Sequence, residues 1–362
     1  MKICNVILCL NAGGAENAAR LISNYFSKKH KVSFLLLIKL REWPIFYKLN
    51  KRIKLKDLNL YKKSNNFFEA ILNNFKRIII LRKNIQIENP DILIAHCSRE
   101  IVLTYLSTFF LKKKIIGYIH SDPQKLIKEK SILWLLLTYV AFSFVDNCIV
   151  FSNQSRLKLP FLARNKAIVI PNVSSEFLKY QKNYSNKNII MVGSLIKIKN
   201  HEFVIDNFKH IISNFPEWKL QIIGDGPLRK KLEKIIYKNN LSKNIFILGN
   251  KINVSRYFNR SSIYLLSSIS EGMNLSLIEA IKFGLPVISS NCSSSHDQII
   301  KNDKNGYIFE KENNKQFLHF LEKLISDVNL REKFGKNSLK YSKQLENKKI
   351  FKIWDRKILK KN

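Results

Sequence analysis

Apolar residues gather along this chain in short runs bounded by turn signals, and each run is followed by a longer amphipathic stretch. Short continuous apolar runs are the mark of strands buried on both faces, and the longer stretches are the mark of crossover helices. The alternation predicts an α/β fold built on parallel sheets. In the first half the runs fall at Cys4–Leu10, Val32–Ile38, Ile92–Ala95, Ile115–Ile119, Asn147–Phe151 and Ala167–Ile170. The rhythm restarts at Asn188–Val192, Lys219–Ile223, Ile245–Leu248, Ile263–Leu266 and Pro286–Ser289. Between the two series the chain reads PNVSSEFLKYQKNYSNK, polar and without a core period, as an interdomain linker does. Two doubly wound, Rossmann-like domains facing a cleft are therefore expected, over residues 1–171 and 188–345, with a linker at 172–187. A last amphipathic helix over 346–362 is expected to cross back to the first domain, and the chain after Gly306 reads as helical and polar throughout.

Composition bounds what such a protein meets. At 362 residues and 46% hydrophobic content, the chain can supply a core for each domain. Lys plus Arg number 63 against 27 Asp plus Glu, a formal +36, which favours anionic partners: nucleic acid, phosphate-bearing substrates or an anionic membrane face. Many lysines stand beside Asn and Ile, as in KKSNN and KIIYKNN, so part of that charge is solvated surface. The five cysteines form no CxxC pair, which points to reduced thiols in a cytoplasmic protein, with neither a disulfide framework nor a zinc site. MKICNVILCLNAGGAEN reads as a first strand, not a signal peptide. The apolar segment Ile132–Val145 falls short of the ~20 residues needed to span a bilayer. It is expected to be a buried helix, with an interfacial one as the alternative. Lys39–Lys63 and Phe75–Lys83 interleave cations with apolar and aromatic residues, a composition suited to an anionic bilayer surface and to peripheral placement on the inner face of the cytoplasmic membrane.

Several strand-end loops carry residues able to do chemistry. Gly13 and Gly14 lead from the first strand into a helix, where glycine lets the backbone approach a ligand or simply turns the chain. Lys197 and Lys199 stand at the start of the second domain's first helix, where lysine can hold a diphosphate as a point charge or stay solvated. Gly224 opens GDGP, another strand-end loop or turn. Glu271 ends the strand-like IYLLSSIS and can accept hydrogen bonds from sugar hydroxyls. The amides around Gly272, Met273, Asn274 and Leu275 precede a helix and suit a phosphate. Glu279 follows Ser276 by three, so the pair also reads as a capping box that merely starts that helix.

VGSLIKIKNHEF, IIGDGPLRKKLE and SEGMNLSLIEAIKFGLPVISSN, in that order and at those spacings, resemble the C-terminal half of family 4 glycosyltransferases, retaining enzymes of the GT-B fold. SSSHDQIIKNDKNGYIF continues the likeness through that family's loop ending in Asn-Gly before a strand. GGAENAAR, GYIHSD, DNCIVFSNQS and VIPNV look like its first-half landmarks, so the resemblance covers nearly the whole chain. It implies that Lys199 binds the donor diphosphate, Glu271 contacts the transferred sugar, Glu279 contacts the nucleotide ribose, and His120 sits at the reaction centre. Two departures stand out. Ser194 occupies the donor-side position where the family often carries Arg, leaving open whether Lys197 replaces that cation. Met273 and Asn274 stand where Phe-Gly is common.

The function this implies is transfer of a hexose or N-acetylhexosamine, from a UDP- or GDP-linked sugar, to a hydroxyl of a glycan. The acceptor is expected to be polyprenyl-linked, as in lipopolysaccharide O-antigen or capsule assembly. No cofactor is expected, and no metal either, since no aspartate pair has D-x-D spacing to offer Mg²⁺ or Mn²⁺. Fixed cations would meet the charge that builds on the leaving diphosphate. The alternatives are a nucleotide-sugar epimerase or glycan phosphorylase of the same fold, or a nucleic-acid-binding protein. The charge alone supports the last of these, without an RNP-like motif, zinc-finger spacing or basic helical arm, so no nucleic acid is expected.

Overall fold

A computed structural model describes residues 1–41, 44–61, 64–123, 131–175, 182–293 and 295–359. The chain divides into two compact units, Met1–Val173 with Ile350–Asn362, and Ser174–Lys349.

The first unit is built on seven parallel strands: β1 (Lys2–Ile7), β2 (Lys31–Leu36), β3 (Lys54–Asp57), β4 (Ile92–His96), β5 (Lys114–Tyr118), β6 (Asn147–Val150) and β7 (Ala167–Val169), in the order β3-β2-β1-β4-β5-β6-β7. The chain runs outward from β1 to one edge, returns through β4 and runs to the other. Because such crossovers are right-handed, the helix α1 (Gly14–Phe26), between β1 and β2, lies on one face of the sheet. The helices α2 (Phe67–Glu88), α3 (Cys97–Ser107) and α4 (Ile132–Phe144) lie on the other, with α3 packed between α2 and α4. The reversal of strand order falls between β1 and β4, where open α/β sheets hold ligands beyond their carboxyl ends.

The expected strands are present, with ends displaced by a few residues at most. β3 was not anticipated. Its sequence KLKD is mostly exposed and pairs on one side only, with Ser33–Leu36. A short lysine-bearing strand of this kind blunts a sheet edge against further pairing, and it offers no apolar run to read. Part of the basic segment Lys39–Lys63 is therefore sheet edge, and positions 42–43 and 62–63 of that segment lie outside the described residues.

The second unit carries six parallel strands: β8 (Asn188–Val192), β9 (Lys219–Ile223), β10 (Ile245–Ile247), β11 (Ile263–Leu266), β12 (Val287–Ser290) and β13 (Gly306–Phe309), ordered β10-β9-β8-β11-β12-β13. β13 corrects the expectation of a wholly helical chain after Gly306. Here the reversal falls between β8 and β11, and these are followed by the helices α5 (His201–Asn214) and α6 (Leu275–Lys282). Trp218, Phe208, Phe317 and Phe334 fill the core around the sheet.

The polar stretch 172–187 is less of a linker than its composition implies. Positions 176–181 lie outside the described residues, while the Lys182 ammonium donates to the Phe258 carbonyl and the Tyr184 hydroxyl donates to the Gly284 carbonyl at 3.1 Å. The last helix, α7 (Asn347–Lys357), starts in the second unit and continues into the first. In the first unit Phe351 stacks on Tyr25 of α1 at 3.9 Å, Tyr25 donates to Asp355 at 2.6 Å, and Trp354, fully buried, meets Phe26 and Tyr118 edge-on.

Candidate active site

The second unit gathers its candidate residues at the carboxyl ends of β8 and β11. After β8 the chain turns through Gly193 and Ser194 into a single 3-10 turn, Lys197–Lys199, whose end is pinned by β11: Ser267 Oγ lies 3.0 Å from the Lys199 carbonyl and 2.9 Å from that of Asn200. The Lys199 side chain passes over Gly193, where an added Cβ would come within 3.5 Å of its methylenes. Its ammonium reaches Glu271 Oε1 at 2.5 Å. Lys197, on the same turn, is exposed.

Three donors converge on that one carboxylate oxygen: Lys199 Nζ, Ser268 Oγ at 2.7 Å and Asn274 Nδ2 at 3.1 Å. Among the described residues none donates to Oε2. Burial pushes the Glu271 carboxyl up, but the Lys199 ammonium and the hydrogen bonds from Lys199 and Ser268 outweigh it and hold the group below its ordinary value. Glu271 is thus a fixed anion with one oxygen still able to accept. The loop behind it is anchored by serines: Ser293 and Ser295 both donate to the Gly272 carbonyl, at 2.5 and 2.7 Å, and Ser290 donates to that of Ser268 at 2.6 Å.

Asn274 caps α6, its Oδ1 accepting from the Leu277 amide at 2.9 Å. The capping box expected of Ser276 and Glu279 is therefore not formed. Helix α6 begins one residue before Ser276, so Glu279 stands in its second turn, and Ser276 donates to the Val192 carbonyl at 2.9 Å or to Asn274. Glu279 is buried, and the charges of Glu271 and Glu279 both bear on the buried Tyr264 hydroxyl, which burial has already pushed far up. Met273 and Leu275 turn their side chains inward and are buried, so the polar groups of the loop after Glu271 are the Asn274 side chain and the backbone. Gly224 holds the backbone crossing beneath, because at φ +146° any Cβ would land on the Gly193 carbonyl. That contact lets the GDGP turn cross the Gly193–Ser194 turn.

The first unit carries a second group. His120 follows β5 and His96 ends β4, and the register of these strands brings His96 Nδ1 to 3.1 Å from His120 Nε2. His96 Nε2 lies 3.0 Å from Asn5 Oδ1. A carbonyl can only accept, so the Ser33 carbonyl at 3.3 Å fixes the Asn5 amide with Nδ2 toward it and Oδ1 toward His96. His96 must then donate from Nε2 and accept at Nδ1, and His120 must donate from Nε2. His120 Nδ1 keeps its lone pair. Burial pushes His120 down to about 3 and, with His120 beside it, holds His96 well below the usual histidine value, so both rings are neutral. Gly13 and Gly14 precede α1 in the same unit. Space is open around Gly14, whereas Gly13 lies under the Glu16 carboxylate, whose carboxyl burial pushes up.

Sequence reasoning missed His96, Ser268 and the double role of Asn274. The histidine left a faint trace, since DILIAHC and GYIHSD both end an apolar run on histidine. No group of three His, Cys, Asp or Glu able to hold a metal occurs among the described residues.

Residues 173–341 match the family described as Glycosyl transferases group 1. Over that segment the chain is similar to the group 1 glycosyltransferases. One relative of this chain is the Campylobacter jejuni GalNAc-alpha-(1->4)-GalNAc-alpha-(1->3)-diNAcBac-PP-undecaprenol alpha-1,4-N-acetyl-D-galactosaminyltransferase, 27% identical over 98% of this chain and 97% of that protein. Another is the Escherichia coli UDP-Gal:alpha-D-GlcNAc-diphosphoundecaprenol alpha-1,3-galactosyltransferase, 26% identical over 75% of this chain and 76% of that protein. Among solved structures, Anabaena HepE in complex with UDP-glucose matches with a TM-score of 0.79 at 15% identity, over 98% of this chain and all of that one. The glycosyltransferase thus shares the GT-B architecture of two α/β units in one chain.

Proposed function

We propose that this glycosyltransferase moves a hexose or N-acetylhexosamine, with retention, from a UDP- or GDP-linked donor to a hydroxyl of a polyprenyl-diphosphate-linked glycan. The observation that carries the reading is Glu271, an anion with one oxygen saturated by Lys199, Ser268 and Asn274 and the other free of donors among the described residues. That oxygen suits a neutral, hydroxyl-bearing ligand. The Lys199 ammonium has three protons and gives one to Glu271, so two remain for a diphosphate at the amino end of α6. As the bond between sugar and phosphate breaks, negative charge builds on the leaving diphosphate, and Lys199 with the helix terminus lowers the barrier by meeting it. Glu279, released from any capping duty, is assigned to the nucleotide ribose. His120, neutral and with Nδ1 open, is assigned to the sugar and its phosphate.

The lipid-linked acceptor is drawn from the two relatives named above, which carry undecaprenol in their names. The transfer is proposed to require no divalent cation. A panel of nucleotide sugars screened by thermal shift tests the donor class, since a donor at 100 times its dissociation constant stabilises by about 2.7 kcal/mol. The stabilising donor, incubated with a polyprenyl-diphosphate glycan and EDTA, should give free nucleoside diphosphate and a new glycosidic bond with the donor's anomeric configuration. A product of inverted configuration, or turnover only with a metal, overturns the corresponding part of the reading.

A further inference from the structure

A helix on the surface of a water-soluble fold turns its polar side out. In the first unit α2 is apolar on both sides. Its outward stripe carries Ile71, Leu72, Phe75, Ile79, Ile80 and Ile87, with Phe75 61% exposed. Its inward side buries Leu81 and Ile85 in the core, together with Arg77 and Asn84, which are satisfied locally: Arg77 Nε donates to the Leu60 carbonyl at 2.9 Å, and Asn84 to that of Ile80 at 2.7 Å. Helix α4 repeats the pattern. Thr138, Ala141, Phe142 and Ser143 are buried, while Ile132, Leu133, Leu136, Val140 and Phe144 face out. This overturns the expectation of a buried helix there. The turn after α3 joins the two surfaces: it lifts Phe109 and Phe110 into solvent, its Phe109 carbonyl accepts from Arg82 of α2 at 2.7 Å, and Tyr105 of α3 stacks at 6.3 Å on Phe144 of α4. All of these elements lie on one side of the sheet.

From this exposed apolar surface we infer that the outer face of α2, α4 and the Phe109–Phe110 turn docks on an anionic lipid bilayer. No helix among the described residues is long and apolar enough to cross a membrane, so the face lies on the bilayer and does not pass through it. Charge selects the occupant. Lys76 and Lys83 interrupt the α2 stripe, the exposed Lys112 follows Phe110, and neither the exposed stripe of α2 nor any part of α4 carries a carboxylate. Lysines among apolar side chains match phosphate headgroups above acyl chains. A second copy of a chain with formal charge +36 would instead set lysine against lysine. The residues of this face take no part in the transfer chemistry, so the inference stands apart from that reading.

Sedimentation of the full-length protein with vesicles of phosphatidylcholine and phosphatidylglycerol, against phosphatidylcholine alone, tests it. The protein should pellet with the anionic vesicles at low salt. Lys76→Ala and Lys83→Ala should each weaken binding about fivefold. Phe75→Glu with Leu136→Glu should weaken it tenfold or more at any salt concentration, and the milder Phe75→Ser with Leu136→Ser should follow in the same direction. The thermal shift given by UDP should stay unchanged in all four, which separates loss of docking from loss of the donor site. The inference fails if the wild type stays in the supernatant with anionic vesicles, or if the apolar variants pellet as it does. It also fails if the protein is a dimer by light scattering that the same variants dissolve.

Discussion

Glu271 is useful because its two oxygens are treated differently. Removing its charge takes the counter-ion from the Lys199 ammonium, while the amide oxygen can still accept from Ser268 and Asn274, so Glu271→Gln should lower the transfer rate about 10- to 100-fold, as loss of a charged hydrogen bond does. Its lowered carboxyl contributes stability above the ordinary value of 4.5 that is lost as pH falls through the folded value, and Glu271→Gln should remove that acid limb from a pH series of denaturant melts. The histidines act in another window. His120 titrates near 3 in the folded chain and 6.5 outside it, so its contribution is complete above pH 6.5 and is lost as pH falls toward 3. The slope should reach up to about 1.4 kcal/mol per pH unit for each such ring. His120→Gln should flatten the unfolding free energy between pH 6.5 and 4 by one proton's worth, and a slope identical to wild type would remove the neutral-ring assignment. His120 was legible because it sits in a motif. His96 was not, because its role depends on strand register, which brings together residues 24 apart through pairing that no local pattern records. Asn274 read as a backbone donor for phosphate and as a departure from a familiar pair, but not as a cap. Which of two neighbouring polar residues caps a helix depends on where the helix starts, and SEGMNLSLIEA offered both Asn274 and Ser276.

Among elements, α6 has the most to lose from one substitution. Asn274→Ala removes the cap, at about 1 kcal/mol, and also a donor to Glu271, so both melting temperature and donor affinity should fall. Asn274→Asp keeps the cap but sets a second anion beside Glu271, so it should retain most of the stability and lose the affinity. Gly224→Ala should fail differently. The new methyl would meet the Gly193 carbonyl, in a backbone conformation that costs an ordinary residue about 1 to 3 kcal/mol, and the turn that seats Lys199 would shift with it. Strands and helices were largely legible at this scale, because period and breakers are local. What the period does not say is which way a helix faces. The run Phe75–Lys83 of α2 reads from sequence as suited to a bilayer surface, but which of its residues turn inward does not, and the packing of α3 against α2 sets a buried side of Leu81 and Ile85 with Arg77 and Asn84. β3 escaped because an edge strand made of KLKD has nothing apolar to report.

The molecule as a whole is two α/β units, with Ile350–Asn362 assigned to the first and the body of the second between its parts. Trp354→Ala should open a cavity against Phe26 and Tyr118 and cost about 3 to 5 kcal/mol. Calorimetry should show the first unit's transition lowered, while the second keeps whatever stabilisation the donor nucleotide gives the wild type. Tyr118 also lies 4.1 Å from the His120 ring, so the same variant should depress transfer more than donor binding. The two-unit plan was legible in the restart of the strand rhythm. Amphipathicity marks the last helix as one that packs but names no partner, so its destination was an expectation without a residue to carry it. That helix also orders events during synthesis. When Val173 leaves the ribosome, the hollow between α1 and β5 still lacks the indole that fills it, and the whole of Ser174–Lys349 must be translated first, roughly 10 to 35 s at ordinary elongation rates. Over that interval the nascent first unit exposes Phe26 and Tyr118 to water or to a chaperone, while the second gathers every residue it needs. The unit made first is the one that finishes last.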